Sequence, residues 1–343
     1  MQMQEAIGAV MRRRHLSFDD THAVMKAIMT GEASDAQIGG FLIGLSMKGE
    51  TADEITAAAQ VMRELMLPVE VDRTHLVDIV GTGGDGANLF NVSTASSFVV
   101  AAAGGRVAKH GNRSVSSSSG SADLFDVAGI SLDLPSHEVA RCIQEVGVGF
   151  MFAPMHHQAM RHAIGPRREM GVRTVFNILG PLTNPANTPN QLLGVYDPAL
   201  LTIMAEALKR LGSDHVLVVN AEDGLDEISL AAPTRVAELK DGEIHEYTIA
   251  PEDFGIERQS LAPLKVVTAE DSLKLVKAAL VGEGPAADIV ALNAGAALYA
   301  AGVADTLKEG VIMAQDAQGS KLPLEKMKEL ADFTRILAHK DAR

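Results

Sequence analysis

Cysteine is almost missing from this chain. A single one, Cys142, stands among 343 residues, so no disulfide can close within the chain and no zinc site can be built on thiolates. That fits a reducing compartment and makes the cytoplasm the expected location. Tryptophan is absent, aromatic residues make up 4% of the chain, and the formal charge is −14. Such a surface repels a polyanion and offers few rings for bases to stack on, which argues against a broad nucleic-acid interface and points to small partners. No apolar run approaches the roughly 18 to 20 residues that cross a bilayer, and the opening MQMQEAIGAVMRRRH lacks the apolar core of a signal peptide. His156, His157 and His162 lack the i,i+4 spacing of a helical zinc pair. No G-x-S-x-G elbow occurs and Cys142 falls in an amphipathic segment, so a nucleophilic hydrolase is unsupported.

What is present is apolar mass, 47% of the chain, enough to bury the cores of two domains. Residues 1 to about 70 read as helical, because Ser17-Phe18-Asp19-Asp20, Ser34-Asp35-Ala36-Gln37 and Thr51-Ala52-Asp53-Glu54 each have the form of a capping box. Gly31 and Gly49 are stops for the first two of these helices and Pro68 bounds the third. Gly39-Gly40 predicts a close helix contact. From about residue 75, apolar strands alternate with amphipathic helices, an α/β pattern that implies a parallel sheet. Lys240-Asp241-Gly242-Glu243 predicts the turn of an exposed antiparallel ribbon, and the tail from Ser272 reads as three helices.

The stretch from Asp78 to Arg113 organises the rest. A strand runs into Gly81-Thr82-Gly83-Gly84-Asp85-Gly86, and Asn91-Val92-Ser93-Thr94 opens a helix. A glycine cluster between strand and helix offers backbone N–H groups to an anion, aided by the positive end of the helix, and phosphate is its natural guest. The loop is neither a dinucleotide fingerprint, since Asp85 sits inside it, nor a Walker loop, since no Gly-Lys-Ser/Thr follows. Asn91, Ser93 and Thr94 read either as plain helix caps or as ligands of a phosphate or its cation. Lys109, His110, Asn112 and Arg113 form a basic polar loop after a second strand, a local reversal of sign in an acidic chain. Asp226-Glu227 follow another strand, where adjacent carboxylates can hold Mg²⁺ against phosphate oxygens. Arg161, Arg167, Arg168 and Arg173 lie on a helix and its exit, with arginine suited to gripping a carboxylate. Glycine loop, basic loop and acidic pair all fall at the carboxyl ends of expected parallel strands.

These motifs, with Arg173-Thr174-Val175-Phe176-Asn177-Ile178-Leu179-Gly180-Pro181-Leu182-Thr183-Asn184-Pro185 and Gly224-Leu225-Asp226-Glu227, together resemble the anthranilate phosphoribosyltransferases of tryptophan biosynthesis over essentially the whole chain. The resemblance implies a helical domain, 1–72 with 170–188 returning to it, hinged to a larger α/β domain with a mainly parallel sheet, 73–169 and 189–343. It implies a homodimer through the helical domain. It assigns phosphoribosyl pyrophosphate to Gly81, Gly84, Asp85, Asn91, Val92, Ser93 and Thr94, to Lys109, His110, Gly111, Asn112, Arg113, Ser114, Val115, Ser116 and Ser117, and to Ser121. Ser93, Asp226 and Glu227 would take Mg²⁺, and Gly81, Asn112 and Arg167 would contact anthranilate, with Lys109, Asn112 and Arg167 carrying the chemistry. Leu89 departs from the family's usual Thr two residues before Asn91, which removes a hydroxyl contact there. Two other readings stay open at this point: a nucleoside phosphorylase of the same fold, whose corresponding loop resembles Lys-His-Ser-Thr-Gly-Gly, and a non-catalytic relative that binds nucleic acid.

Overall fold

The computed structural model describes residues 1–113 and 119–341. Four helices come first: α1 (Met3–Met11), α2 (Phe18–Met29), α3 (Asp35–Lys48) and α4 (Ala52–Leu65). Ser17 accepts from the Asp20 N–H, and Ser34 and Thr51 form reciprocal boxes with Gln37 and Glu54, so local capping alone sets three of the four starts. Gly31 and Gly49 follow α2 and α3 with φ of +81° and +85°, the stops that only glycine takes at little cost. The close contact on α3 is at Gly44, not at Gly39-Gly40. A β-carbon at 44 would press to 2.6 Å from Val10 Cγ2, whereas at 39 and 40 the nearest atoms lie at 3.8 and 4.0 Å. α3 meets α1 one turn later than the glycine pair suggests.

The α/β part runs β1 (Leu76–Gly81), α5 (Val92–Ala102), β2 (Arg106–Gly111), α6 (Ser121–Val127), α7 (Ser136–Glu145) and β3 (Val148–Phe152). The short α8 (Ala153–His156), α9 (Arg161–Met170) and α10 (Phe176–Leu179) come next, then β4 (Asn190–Gly194), α11 (Leu201–Arg210), β5 (His215–Ala221), β6 (Thr234–Lys240) and β7 (Glu243–Ile249). α12 (Ala269–Ala279), α13 (Gly284–Ala300), α14 (Leu307–Ser320) and α15 (Leu322–Asp341) close the chain. The tail thus has four helices, not three. α14 and α15 are separated by Lys321 alone, in the left-handed region at φ +64°, a conformation that a lysine seldom takes and that the sequence does not announce.

One sheet orders the strands β3-β2-β1-β4-β5-β6-β7. The first five are parallel, and β6 and β7 add antiparallel. The ribbon is therefore not free-standing: β6 pairs with β5 along its length and is largely buried, and only β7 is exposed as the edge. Alternation along β5 divides the core. Leu217 and Val219 join the cluster that contains α5 and the all-round apolar α13, while Val216 and Val218 join a second cluster with α11, α10 and the N-terminal helices. That second cluster is continuous from Met25 and Leu42 through Val175, Phe176 and Leu182 to the sheet.

Candidate active site

The chain winds outward from β1 to β2 and β3 and then returns to β4 on the other side of β1. The switch point lies between β1 and β4, and open sheets place ligands in the crevice outside the carboxyl ends there. Gly81 and Gly194, the last residues of these two strands, sit opposite each other in register. A β-carbon at either position would collide with Asp226, so this glycine pair makes room for the acidic segment to cross the strand ends. Gly83, Gly84 and Gly86 then carry φ of +66°, +82° and +72°, and the Gly83 N–H donates to Asp226 Oδ2 at 2.7 Å. Glycine loop and acidic pair are one structure.

α5 starts directly behind the loop. Asn91 does not cap it. The Asn91 side chain instead donates to the Ser119 carbonyl at 3.1 Å and accepts from Ser272 Oγ at 2.6 Å and Ser119 Oγ at 3.0 Å, which ties the helix start to two other segments. The first turn of α5 borders the cleft through Val92, Ser93 and Thr94, with the Val92 N–H donating to the Phe90 carbonyl at 2.7 Å and the Ser93 N–H to Glu227. Thr94 Oγ1 is buried and has no hydrogen-bond partner among the described residues.

Lys109 and His110 lie within β2, not in the loop after it, and both are buried. The reason is a polar pillar behind the site. Lys109 Nζ donates to the Ile79 carbonyl at 2.7 Å and to Ser93 Oγ at 3.2 Å. Asp78, fully buried on the neighbouring strand, accepts from Asn184 Nδ2 at 2.7 Å and from the His110 N–H at 3.3 Å. Burial pushes the Asp78 carboxyl up to about 6, against the pull of Lys109. Burial also lowers the Lys109 ammonium, while Asp78 and Glu227 oppose that shift. His110 is held well below the ordinary imidazole range by burial and by His157, whose Nε2 lies 3.2 Å from its own. The basic loop is thus one buried cation, one neutral imidazole and Arg113, which is paired with Asp126 at 2.6 Å and Asp123 at 3.2 Å.

Asp226 and Glu227 both stand above the ordinary carboxylate range. Burial is the first cause for each, followed by the charge of Asp85 for Asp226 and of Asp226 for Glu227. Their position is fixed from behind by Asn293 of α13, which accepts from the Ile228 N–H and donates to its carbonyl, each at 2.9 Å. Arg167 of α9 stacks over Phe176 at 5.1 Å, and burial lowers its pKa.

Every site residue expected from the sequence, apart from Ser114, Val115, Ser116 and Ser117, lines one cavity of about 420 Å³. Those four lie outside the described residues. Sequence reasoning passed over several groups lining the same cavity. Arg173 stacks on Tyr196 at 4.1 Å and donates to the Gly84 carbonyl, and Thr82 Oγ1 accepts from the Tyr196 N–H at 3.2 Å. Tyr196 and Asn293 had no signal in the sequence. Arg173 had one, its place in a basic run, but nothing there distinguishes it from Arg161 or Arg168. Leu89 makes an isolated bridge to Lys265 and packs on the larger core.

Comparison with known proteins decides the family. The helical bundle domain of a glycosyl transferase family matches residues 4–66 and its a/b domain matches residues 73–320. The chain is 93% identical over 343 residues to the anthranilate phosphoribosyltransferase of Chromohalobacter salexigens, covering 100% of both. It is 62% identical to that of Cellvibrio japonicus, over 98% of this chain and 100% of the other. The chain belongs to the anthranilate phosphoribosyltransferase family. Solved anthranilate phosphoribosyltransferases share its fold: that of Thermus thermophilus at 45% identity and a TM-score of 0.91, over 96% of this chain and 99% of that one. The Saccharomyces cerevisiae anthranilate phosphoribosyltransferase, in complex with phosphoribosyl pyrophosphate and Mg, follows at 26% identity and a TM-score of 0.88, over 97% of this chain and 98% of that one.

Proposed function

We propose that the cleft at the switch point performs the family's reaction, displacement of pyrophosphate from C1 of phosphoribosyl pyrophosphate by the amine of anthranilate. The observation that carries this reading is the meeting, in one cavity, of the glycine loop and α5 start, the buried Lys109, the Asp226-Glu227 pair and Arg167. The first two suit phosphate, the acidic pair suits its cation, and Arg167 has no acidic partner among the described residues. The test is loss of anthranilate fluorescence on mixing protein, phosphoribosyl pyrophosphate and Mg²⁺, with each omitted in turn. Decay in the absence of phosphoribosyl pyrophosphate, or no decay with all present, sinks the assignment.

The residues suit a magnesium ion. Two half-buried carboxylates, Asp226 raised by burial and by Asp85, and Glu227 by burial and by Asp226, call for a cation, with Ser93 Oγ beside Lys109 in the same cavity. Among the described residues no third His, Cys, Asp or Glu completes a metal cluster with them, which matches an ion that keeps water and substrate phosphate in its shell. Bound there, Mg²⁺ would neutralise charge on the departing pyrophosphate.

As the C1–O bond breaks, positive charge grows on the ribose and negative charge on the pyrophosphate. Lys109 and the positive end of α5 are fixed in place to receive the latter, so little reorganisation is needed. Arg167, seated over the Phe176 ring, grips the anthranilate carboxylate and aims the amine, and Asn112 borders the same space. An aromatic amine attacks through a neutral lone pair and sheds its proton to solvent or the departing pyrophosphate after the bond forms, so no side chain is assigned as general base.

Arg167→Ala raises the KM for anthranilate by an amount equivalent to about 2–4 kcal/mol and leaves that for phosphoribosyl pyrophosphate nearly unchanged. Equal losses for both in steady-state kinetics remove Arg167 from this role. Thr94→Val separates binding from stability. It deletes a buried hydroxyl that has no partner among the described residues, so the chain gains up to about 1–2 kcal/mol in urea unfolding while the KM for phosphoribosyl pyrophosphate rises. A stability loss with unchanged KM places the hydroxyl in the fold alone.

We assign 1–72 with 170–188 to the helical unit and the rest to the phosphate-binding unit. The shared cluster of Leu42, Phe176 and Leu182 supports this. Met11 and Met47, 74% and 72% exposed, and Ile43 beside them leave an apolar face on that unit, which supports a homodimer built there. Light scattering is expected to give a dimer, and Ile43→Lys with Met47→Lys a monomer. A wild-type monomer defeats this reading. No helix among the described residues is long and apolar enough to cross a membrane, and we place the enzyme in the cytoplasm, with its substrates.

A further inference from the structure

A second cavity, about 370 Å³, opens at the opposite end of the sheet. Arg73, Thr188 and Ser213 border it just before β1, β4 and β5 begin, and Gln60, Arg63 and Glu64 of α4 close its other side. It therefore lies between the helical unit and the amino-terminal edge of the sheet, away from the cleft at the carboxyl ends.

Its charge is unusual for an acidic chain. Arg63 is half-buried and anchored by two carbonyls, Nε donating to Leu182 at 2.7 Å and Nη1 to Leu211 at 3.2 Å. Its Nη2 is left without a bond among the described residues. No carboxylate pairs with it or with the exposed Arg73 among the described residues, although the two guanidiniums are near enough for Arg73 to oppose the charge on Arg63. Burial first, and Arg73 second, push the Arg63 guanidinium down to about 10. The one acid at the rim, Glu64, is already engaged by His22 at 3.1 Å and by Gln60 at 3.2 Å. Two like charges held together at a cavity without a counter-ion are an arrangement that an anion relieves.

We propose that this cavity binds a dianionic tetrahedral oxyanion, free phosphate or the phosphate end of a small ester, held between Arg63 and Arg73 with the hydroxyls of Thr188 and Ser213 as further donors. Because Arg63 comes from α4 and the other groups from the sheet edge, the bound anion ties the helical unit to the α/β unit at a point remote from the chemistry. Guanidinium forks suit such a guest better than point charges do.

The experiment is calorimetric titration of the full chain with inorganic phosphate and, separately, ribose 5-phosphate, at constant ionic strength. At least one of the two gives a binding event that persists in Lys109→Met, where the cleft is impaired. That event weakens at least about tenfold in Arg73→Ser, and Arg63→Lys, which keeps the charge and loses the fork, weakens it as well. Arg73→Ser turns over like wild type when neither anion is added. Response to phosphate alone or to the ester as well identifies the source of the ligand. Absence of any event beyond those lost in Lys109→Met, or unchanged binding by Arg73→Ser, overturns the proposal.

Discussion

Lys109→Met lowers kcat/KM by about 10³-fold, the scale seen when one fixed donor is removed from a buried anion site. Two of the three ammonium protons are committed to the Ile79 carbonyl and Ser93 Oγ, and the third is the one left for the cavity. Burial lowers the ammonium's pKa, and Asp78 and Glu227 oppose that shift. The same substitution removes the positive charge that opposes the upward shift of the buried Asp78 carboxyl and so lowers stability as well. Stability and catalysis are separated by a companion change. Lys109→Met with Asp78→Asn regains most of the urea midpoint, since the amide needs no cation, and stays inactive. Recovery of turnover in the double variant makes Lys109 a structural residue and ends its assignment to the leaving group.

Neutralising the acidic pair has an effect of similar size. Asp226→Asn with Glu227→Gln lowers kcat by about 10²–10³-fold at ordinary Mg²⁺ and moves the Mg²⁺ dependence to higher concentration. An unchanged metal titration rules out the pair as the metal's anchor. The pH dependence of stability supplies an independent readout. Both carboxyls are raised in the folded state by burial and by neighbouring acids. Their contribution is therefore favourable while they are protonated, below the ordinary carboxylate range, and is lost as pH rises through the raised values. The metal-free protein melts lower at about pH 8.5 than at about pH 6, and Mg²⁺ restores more at the higher pH, where no proton has to be displaced. In the double variant both trends flatten.

The departures from sequence expectation have a common cause. Capping of α2, α3 and α4 by Ser17, Ser34 and Thr51 was legible because a cap acts within four residues. Parallel strands and the glycine loop were legible for the same local reason, and the family likeness joined motifs far apart in the chain. Asn91 has the residue type and position of a helix cap, yet its side chain goes to Ser119 and Ser272. Lys109 looks like the start of a solvated loop, yet Asp78 and Asn184 create a polar interior that draws it into the strand. Gly44, and not the conspicuous glycine pair, meets Val10, because crossing points depend on how helices lie across each other.

The amino-acid sequence by itself determined the helical start, the α/β remainder, the ligand-bearing residue types at strand ends and the family. Each of these rests on periodicity, on capping and turn chemistry, or on ordered motifs along one chain. Tertiary structure decided what those residues are in each other's presence: that Gly81 and Gly194 together clear a path for Asp226, that Arg173 is clamped between Tyr196 and Gly84, and that Arg63 and Arg73 meet at the far edge of the sheet. Charge state, accessibility and free donors follow from burial and from neighbours distant in sequence, and only the folded arrangement sets those.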